Sequence, residues 1–117
     1  MISDSEVSRE ILVEGLHDYI GLWSVLWHFR DLPDPALRRQ EAMALVKEFL
    51  GNGWFEAGFP TSDGRGFTPW QSDSADSISR IEKEWDALGR EPNIGEVVWL
   101  NITPAGENEA RTHVAQA

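Results

Sequence analysis

The segment from Glu96 to Ala110 constrains the fold of this chain more than any other. Its first half alternates and is rich in β-branched and aromatic residues, a composition typical of a strand. The pair Thr103-Pro104 ends that strand, because proline has no N–H group to donate to a sheet. The residues that follow are polar and favour a helix. A strand that passes directly into a helix predicts a fold that mixes α and β elements.

Four helices are predicted from apolar residues that recur at helical spacing. They cover residues 5–20, 22–30, 35–51 and 76–88. The clearest is the helix of residues 35–51, because Asp34 is suited to cap its first turn and Pro35 to occupy its first position. The sequence Gly51-Asn52-Gly53 is a typical helix end.

Two strands are predicted, at residues 54–59 and 96–103. Between them lie a loop over residues 61–74, which carries the aromatic residues Phe67 and Trp70, and then the helix of residues 76–88. The polar tail from Gly106 is expected to begin as a helix and to fray.

Two phrases resemble winged helix-turn-helix domains. Residues 45–54 look like the end of a recognition helix that enters the wing, and residues 98–106 look like the returning wing strand with its Leu-x-x-Thr-Pro-x-Gly ending. The resemblance implies a single, mostly helical α+β domain over residues 1–117. It would have three helices and a two-stranded antiparallel wing with an inserted helix. Such domains usually bind DNA. Residues 80–90 also resemble small acidic bacterial proteins of unassigned function.

The charge of the chain opposes DNA binding. Ten Lys and Arg residues stand against 20 Asp and Glu residues, which gives a net charge of -10. Duplex DNA and anionic membranes repel such a chain at long range. No apolar run approaches the ~20 residues needed to span a bilayer, and the first residues do not resemble a signal peptide. We therefore expect a cytoplasmic protein that does not bind membranes.

DNA binding remains the alternative function. It would use the exposed face of the helix of residues 35–51, with contacts from Arg38, Arg39, Gln40 and Lys47. Glu41 and Glu48 share that face and would repel phosphate groups. The two arginines are equally well placed to pair with Asp31 or Asp34, which is the pairing we expect.

Protein interaction is the preferred function, because six tryptophans are many for 117 residues and tryptophan is enriched at interfaces. Trp23 and Trp27 lie four residues apart on one helix face. The expected surface comprises Trp23, Trp27 and Phe29 with the loop residues Phe67 and Trp70, although all five also suit a core. Its partner would be another protein or a second copy of the chain, in an antitoxin, immunity or regulatory-adaptor role. Trp85 and Trp99 are expected in the core.

Catalysis and metal binding find little support in the sequence. The chain has no cysteine, which excludes a disulfide framework, a thiolate zinc site and a cysteine nucleophile. His17, His28 and His113 do not stand at metal-ligand spacing. No serine lies in a nucleophile turn and no phosphate-binding loop is present. We expect no enzyme activity and no cofactor, with small-ligand binding as a third possibility.

Overall fold

The computed structural model describes residues 4–115. Their elements, in chain order, are α1 (Asp4–Gly15), β1 (Ile20–Gly21), α2 (Leu22–Trp27), α3 (Pro35–Gly51), β2 (Phe55–Pro60), β3 (Phe67–Pro69), α4 (Ser74–Leu88), β4 (Trp99–Ile102) and α5 (Pro104–Ala115). The expected mixture of helices and strands is confirmed. None of the helices in this part of the chain is both long enough and apolar enough to cross a membrane.

The four strands form one antiparallel sheet in the order β1-β4-β2-β3. The two predicted strands do pair with each other, as β2 and β4, with Ala57 opposite Leu100. The prediction of a two-stranded sheet is wrong, because β1 and β3 add one strand at each edge. Each is too short to show a period-two pattern in the sequence. Strand β1 pairs with the distant β4, whereas β3 pairs with its neighbour in the chain, β2.

The two faces of the sheet differ in what covers them. Ile20, Leu100 and Ala57 lie side by side across three strands, and each is at most 5% exposed. This face belongs to the core, together with the apolar stripes of the helices. The core residues of α1, α3 and α4 include Val7, Ile11, Leu12, Leu45, Val46, Phe49, Ile81 and Trp85.

The opposite face of the sheet is lined by half-buried aromatic rings. Trp99 belongs to this face, since it neighbours the fully buried Leu100 in the strand, and its ring lies over Gly21. The expectation that Trp99 is a core residue is therefore wrong. The ring of Phe67 lies over Gly58, whose position admits no Cβ because that atom would stand 2.1 Å from the Thr68 carbonyl oxygen.

The helix boundaries reflect local capping. In α3 the Asp34 carboxylate accepts a hydrogen bond from the Ala36 N–H at 2.9 Å, as predicted. In α4 the cap is Asp73, whose carboxylate accepts from the Asp76 N–H at 2.8 Å, so this helix begins at Ser74 and not at the predicted residue 76. The first helix is shorter than predicted, because the chain leaves it at Gly15 and enters β1.

The expected frayed tail is instead a helix up to Ala115, with Gln116 and Ala117 outside the described residues. Helix α5 packs against α1 and buries Ala110 completely. Thr103 starts it: its side-chain oxygen accepts from Gly106 N–H at 3.1 Å, and its carbonyl accepts from Glu107 N–H at 2.8 Å. The Thr-Pro-x-Gly phrase is therefore the first turn of a capped helix.

Candidate functional site

Two tryptophans stand out on the surface of α2. Leu22, Val25 and Leu26 of this short helix are buried, which turns the other side of the helix to solvent. Trp23 and Trp27 lie on that side and are 39% and 46% exposed. Large apolar side chains that share an exposed surface indicate an interaction site more often than isolated ones do.

The two tryptophans line a cleft of about 430 Å³ between α2, the start of α3 and the segment after α4. We call it the tryptophan cleft. Its lining residues are Trp23, Leu26, Trp27, Arg30, Arg38, Glu91, Pro92 and Asn93. One side is thus apolar and the other carries charged and amide groups, which is the combination found in ligand and peptide sites.

A bidentate ion pair builds the polar wall of the tryptophan cleft. Arg38 donates from Nε and Nη2 to the two carboxylate oxygens of Glu91, at 2.9 and 3.1 Å. A third bond runs from Arg38 Nη1 to the Leu32 carbonyl oxygen at 2.5 Å. The hydrogen bond to Glu91 raises the pKa of Arg38 above its ordinary value. This pair ties the segment after α4 to the first turn of α3.

The segment that carries Glu91 is held at both ends. Arg90 donates to both carboxylate oxygens of Glu96 at 2.7 and 2.9 Å, and the Asn93 N–H donates to Glu96 at 2.7 Å. The hydrogen bonds from Arg90 and Asn93 lower the pKa of Glu96 to about 2. Besides Glu91, three charged side chains therefore fix the wall, namely those of Arg38, Arg90 and Glu96. Of these, only Arg38 was predicted as a site residue.

Arg30 closes one end of the tryptophan cleft. Its guanidinium carbon lies 3.5 Å from the centre of the Trp27 ring. Its Nη1 donates to the Trp27 carbonyl oxygen at 3.0 Å. No carboxylate among the described residues forms an ion pair with it. Arg30 was not predicted as a site residue, although its position three residues after Trp27 in a predicted helix was a usable signal.

The other predicted surface residues make contacts within the fold. Phe29 is 5% exposed and belongs to the core, so it does not contribute to an exposed surface. The Phe67 ring packs against Tyr19 at 5.2 Å between centroids. Trp70 is half-buried beneath Arg80, whose guanidinium lies 3.8 Å from the ring centre. The structure therefore brings together Trp23 and Trp27 and leaves the loop aromatics elsewhere.

The cationic side chains named for DNA contacts all lie beside carboxylates. Arg38 pairs with Glu91, Arg39 with Asp86 at 2.6 Å, and Lys47 with Glu82 at 3.5 Å. Gln40 is exposed. The expected partners Asp31 and Asp34 are not the ones found, since Asp34 caps α3. Two of the observed partners belong to α4, which packs along α3.

A wider groove of about 580 Å³ runs between α1 and α5, away from the tryptophan cleft. It is lined by Glu6, Arg9, Glu10, Val13, Glu14, His17 and His113. It is more open, and its carboxylates line an exposed helix face. Within residues 4–115 no three histidine or acidic side chains are grouped so that they could hold a metal ion. This groove is the larger of the two, but the tryptophan cleft has the more specific chemistry, because it combines two tryptophan rings with a fixed ion pair.

The comparisons with known proteins add no relative to this description. Protein-family models, curated proteins and solved structures all gave no match to the chain.

Proposed function

We propose that this domain is a protein-interaction module whose partner docks in the tryptophan cleft. The observation that carries the proposal is the pair of half-exposed rings of Trp23 and Trp27, which line a concave surface beside an arginine without a carboxylate partner among the described residues. Tryptophan and arginine are the residues that most often dominate binding energy in protein interfaces. Such a surface would suit a regulatory adaptor.

The rigidity of the cleft supports the same proposal. Its polar wall is fixed by the bonds between Arg38 and Glu91, and its floor residue Leu26 is anchored in the core. A preformed site loses less conformational entropy when a partner binds than a mobile one does. The cleft is therefore suited to bind a short segment of another protein without rearrangement.

DNA binding through α3, the function that a winged helix-turn-helix resemblance implies, fits less well. Phosphate groups would have to displace Asp86 from Arg39 and Glu82 from Lys47, within a domain whose net charge is -10. Counterion release from DNA yields affinity only where cations meet phosphates without such competition. Arg38 is likewise held by two carboxylate oxygens.

The docking proposal is tested by selecting peptides from a random display library on the wild-type protein. We expect enriched peptides to lose at least about tenfold in affinity for Trp23→Ala and for Trp27→Ala, since a central tryptophan of an interface typically contributes about 2 kcal/mol. Val114→Ala is the matched control, because this apolar residue of α5 is 50% exposed and does not line the cleft. Thermal melts check that each variant folds. Binders that tolerate both tryptophan substitutions would refute docking in the cleft.

The DNA alternative is tested by fluorescence anisotropy of labelled random duplex DNA at low salt. We expect no saturable binding. Saturable binding that weakens steeply as salt rises, and that is reduced in Arg39→Gln and Lys47→Gln, would move the function to DNA.

A further inference from the structure

We infer that the tryptophan cleft recognises a peptide segment that carries a carboxylate side chain next to an apolar anchor. This inference rests on the proposed function and specifies its partner. The apolar anchor would lie against Trp23 and Trp27, and an aspartate or glutamate side chain of the partner would receive hydrogen bonds from Arg30.

The charge of the cleft differs in sign from the charge of the domain. Its lining contains two arginines and one glutamate, whereas the whole chain has a net charge of -10. Arg38 is neutralised by its two hydrogen bonds to Glu91. Arg30 is thus the charge in the cleft that has no counterion among the described residues. A carboxylate is the partner group that complements it.

The position of Arg30 prepares it for this role. A guanidinium has five N–H donors in one plane. The Arg30 group lies over the Trp27 ring at 3.5 Å, and one nitrogen, Nη1, donates to the Trp27 carbonyl oxygen. Stacking occupies a face of the guanidinium and leaves N–H groups at its edge free to donate. The side chain is already held in one place, so a carboxylate that binds it orders little further.

The cleft also offers a neutral donor. Asn93 lines the same space, and its backbone N–H is engaged by Glu96. Its side-chain amide takes part in no hydrogen bond within the described part of the chain. Asn93 would therefore donate a second hydrogen bond to the peptide.

A second copy of the chain fits the cleft less well than a separate peptide. Most of the surface that surrounds the cleft belongs to a strongly acidic domain, so two copies repel each other at distances up to a Debye length, about 8 Å at physiological salt. A short peptide presents one carboxylate to Arg30 without bringing a second acidic surface.

The test compares three versions of a peptide selected on the wild-type protein, with aspartate, asparagine or lysine at the position next to the apolar anchor. We expect the aspartate peptide to bind wild type about fivefold more tightly than the asparagine peptide, the range of an exposed charge pair. Arg30→Gln should abolish this preference, and Arg30→Glu should invert it in favour of lysine. The matched control is Arg65→Gln, which removes one charge from the turn between β2 and β3.

The outcomes separate this inference from the proposed function. Suppose that the peptides require Trp23 and Trp27 but bind the wild type and Arg30→Gln with equal affinity, whatever the charge of the peptide. That result would overturn the carboxylate inference and leave the docking proposal intact. If Arg65→Gln also abolished the charge preference, that preference would reflect the net charge of the domain. The carboxylate inference would then be overturned. If sedimentation showed that the wild-type protein is a dimer and that Trp27→Ala dissociates it, the occupant of the cleft would be a second copy of the chain and not a peptide.

Discussion

Replacing Gly106 with alanine should destabilise the domain, although helix propensity predicts the opposite. Alanine in a helix interior is favoured over glycine by about 1 kcal/mol. In this fold a Cβ on Gly106 would stand 2.0 Å from the Trp54 carbonyl oxygen and 2.8 Å from Ile102 Cγ1. Nonbonded heavy atoms ordinarily stay about 3.5 Å apart. Helix α5 would therefore have to move by about 1.5 Å.

That movement is expensive because the first turn of α5 is fixed on two sides. The Thr103 N–H donates to the same Trp54 carbonyl oxygen at 2.9 Å, and Ala110 is fully buried further along the helix. Overpacking of this kind costs up to about 3 kcal/mol. After subtraction of the propensity gain, we expect a loss of about 2 kcal/mol, or about 8 °C in Tm for a domain of this size.

The assay is urea unfolding followed by circular dichroism, with Gly51→Ala as the matched control. Gly51 is also a helical glycine, but a Cβ there meets no atom within 4 Å. Gly51→Ala should leave the unfolding free energy unchanged or raise it by up to about 1 kcal/mol. Equal stabilisation by both substitutions would refute the close approach of α5 to Trp54.

Three further predictions concern other contacts. Thr103→Ala should cost about 1 kcal/mol because it removes the cap of α5, and Thr103→Ser should restore it; urea unfolding measures both. Leu100→Ala should cost about 3 kcal/mol and Trp99→Ala less, since Leu100 is fully buried and Trp99 only half-buried; equal losses in urea would contradict the assignment of sheet faces. Glu96 has a lowered pKa of about 2, so its stabilisation is present above its ordinary pKa near 4.5 and is lost as pH falls towards 2. Glu96→Gln should flatten the acid-unfolding curve in that range.

The elements that could be predicted from the sequence are those with local causes. Helix α3 begins at Pro35 and ends at Gly51 as expected, since its cap Asp34 and its apolar stripe lie within the helix and its flanks. Strand β1 could not be predicted, because two residues form a strand only by pairing with Leu100 and Trp99, far along the chain. Helix α5 was expected to begin and then fray, since its polar sequence does not reveal that it packs against α1 and buries Ala110.

Part of the candidate site could likewise be predicted from the sequence, and part of it could not. The spacing of Trp23 and Trp27 placed them on one face of a helix, and that face is exposed. The polar wall depends on a pair between Arg38 and Glu91, which are 53 residues apart. The sequence favoured Asp31 or Asp34 as the partner of Arg38, but the carboxylate of Asp34 accepts from a backbone N–H at the start of α3. Arg38 forms its hydrogen bonds with the distant Glu91 instead.

Trp23 and Trp27 are not core residues, although they belong to the same short helix as the buried Leu22, Val25 and Leu26. Trp23 and Trp27 stay 39% and 46% exposed, whereas Leu100 is fully buried. A cleft that existed only to complete the core would have these rings inside, as Trp85 is. The chain instead leaves two large rings half-exposed beside an arginine that lacks a counterion among the described residues. A partner with an apolar and a negatively charged group would complement this arrangement.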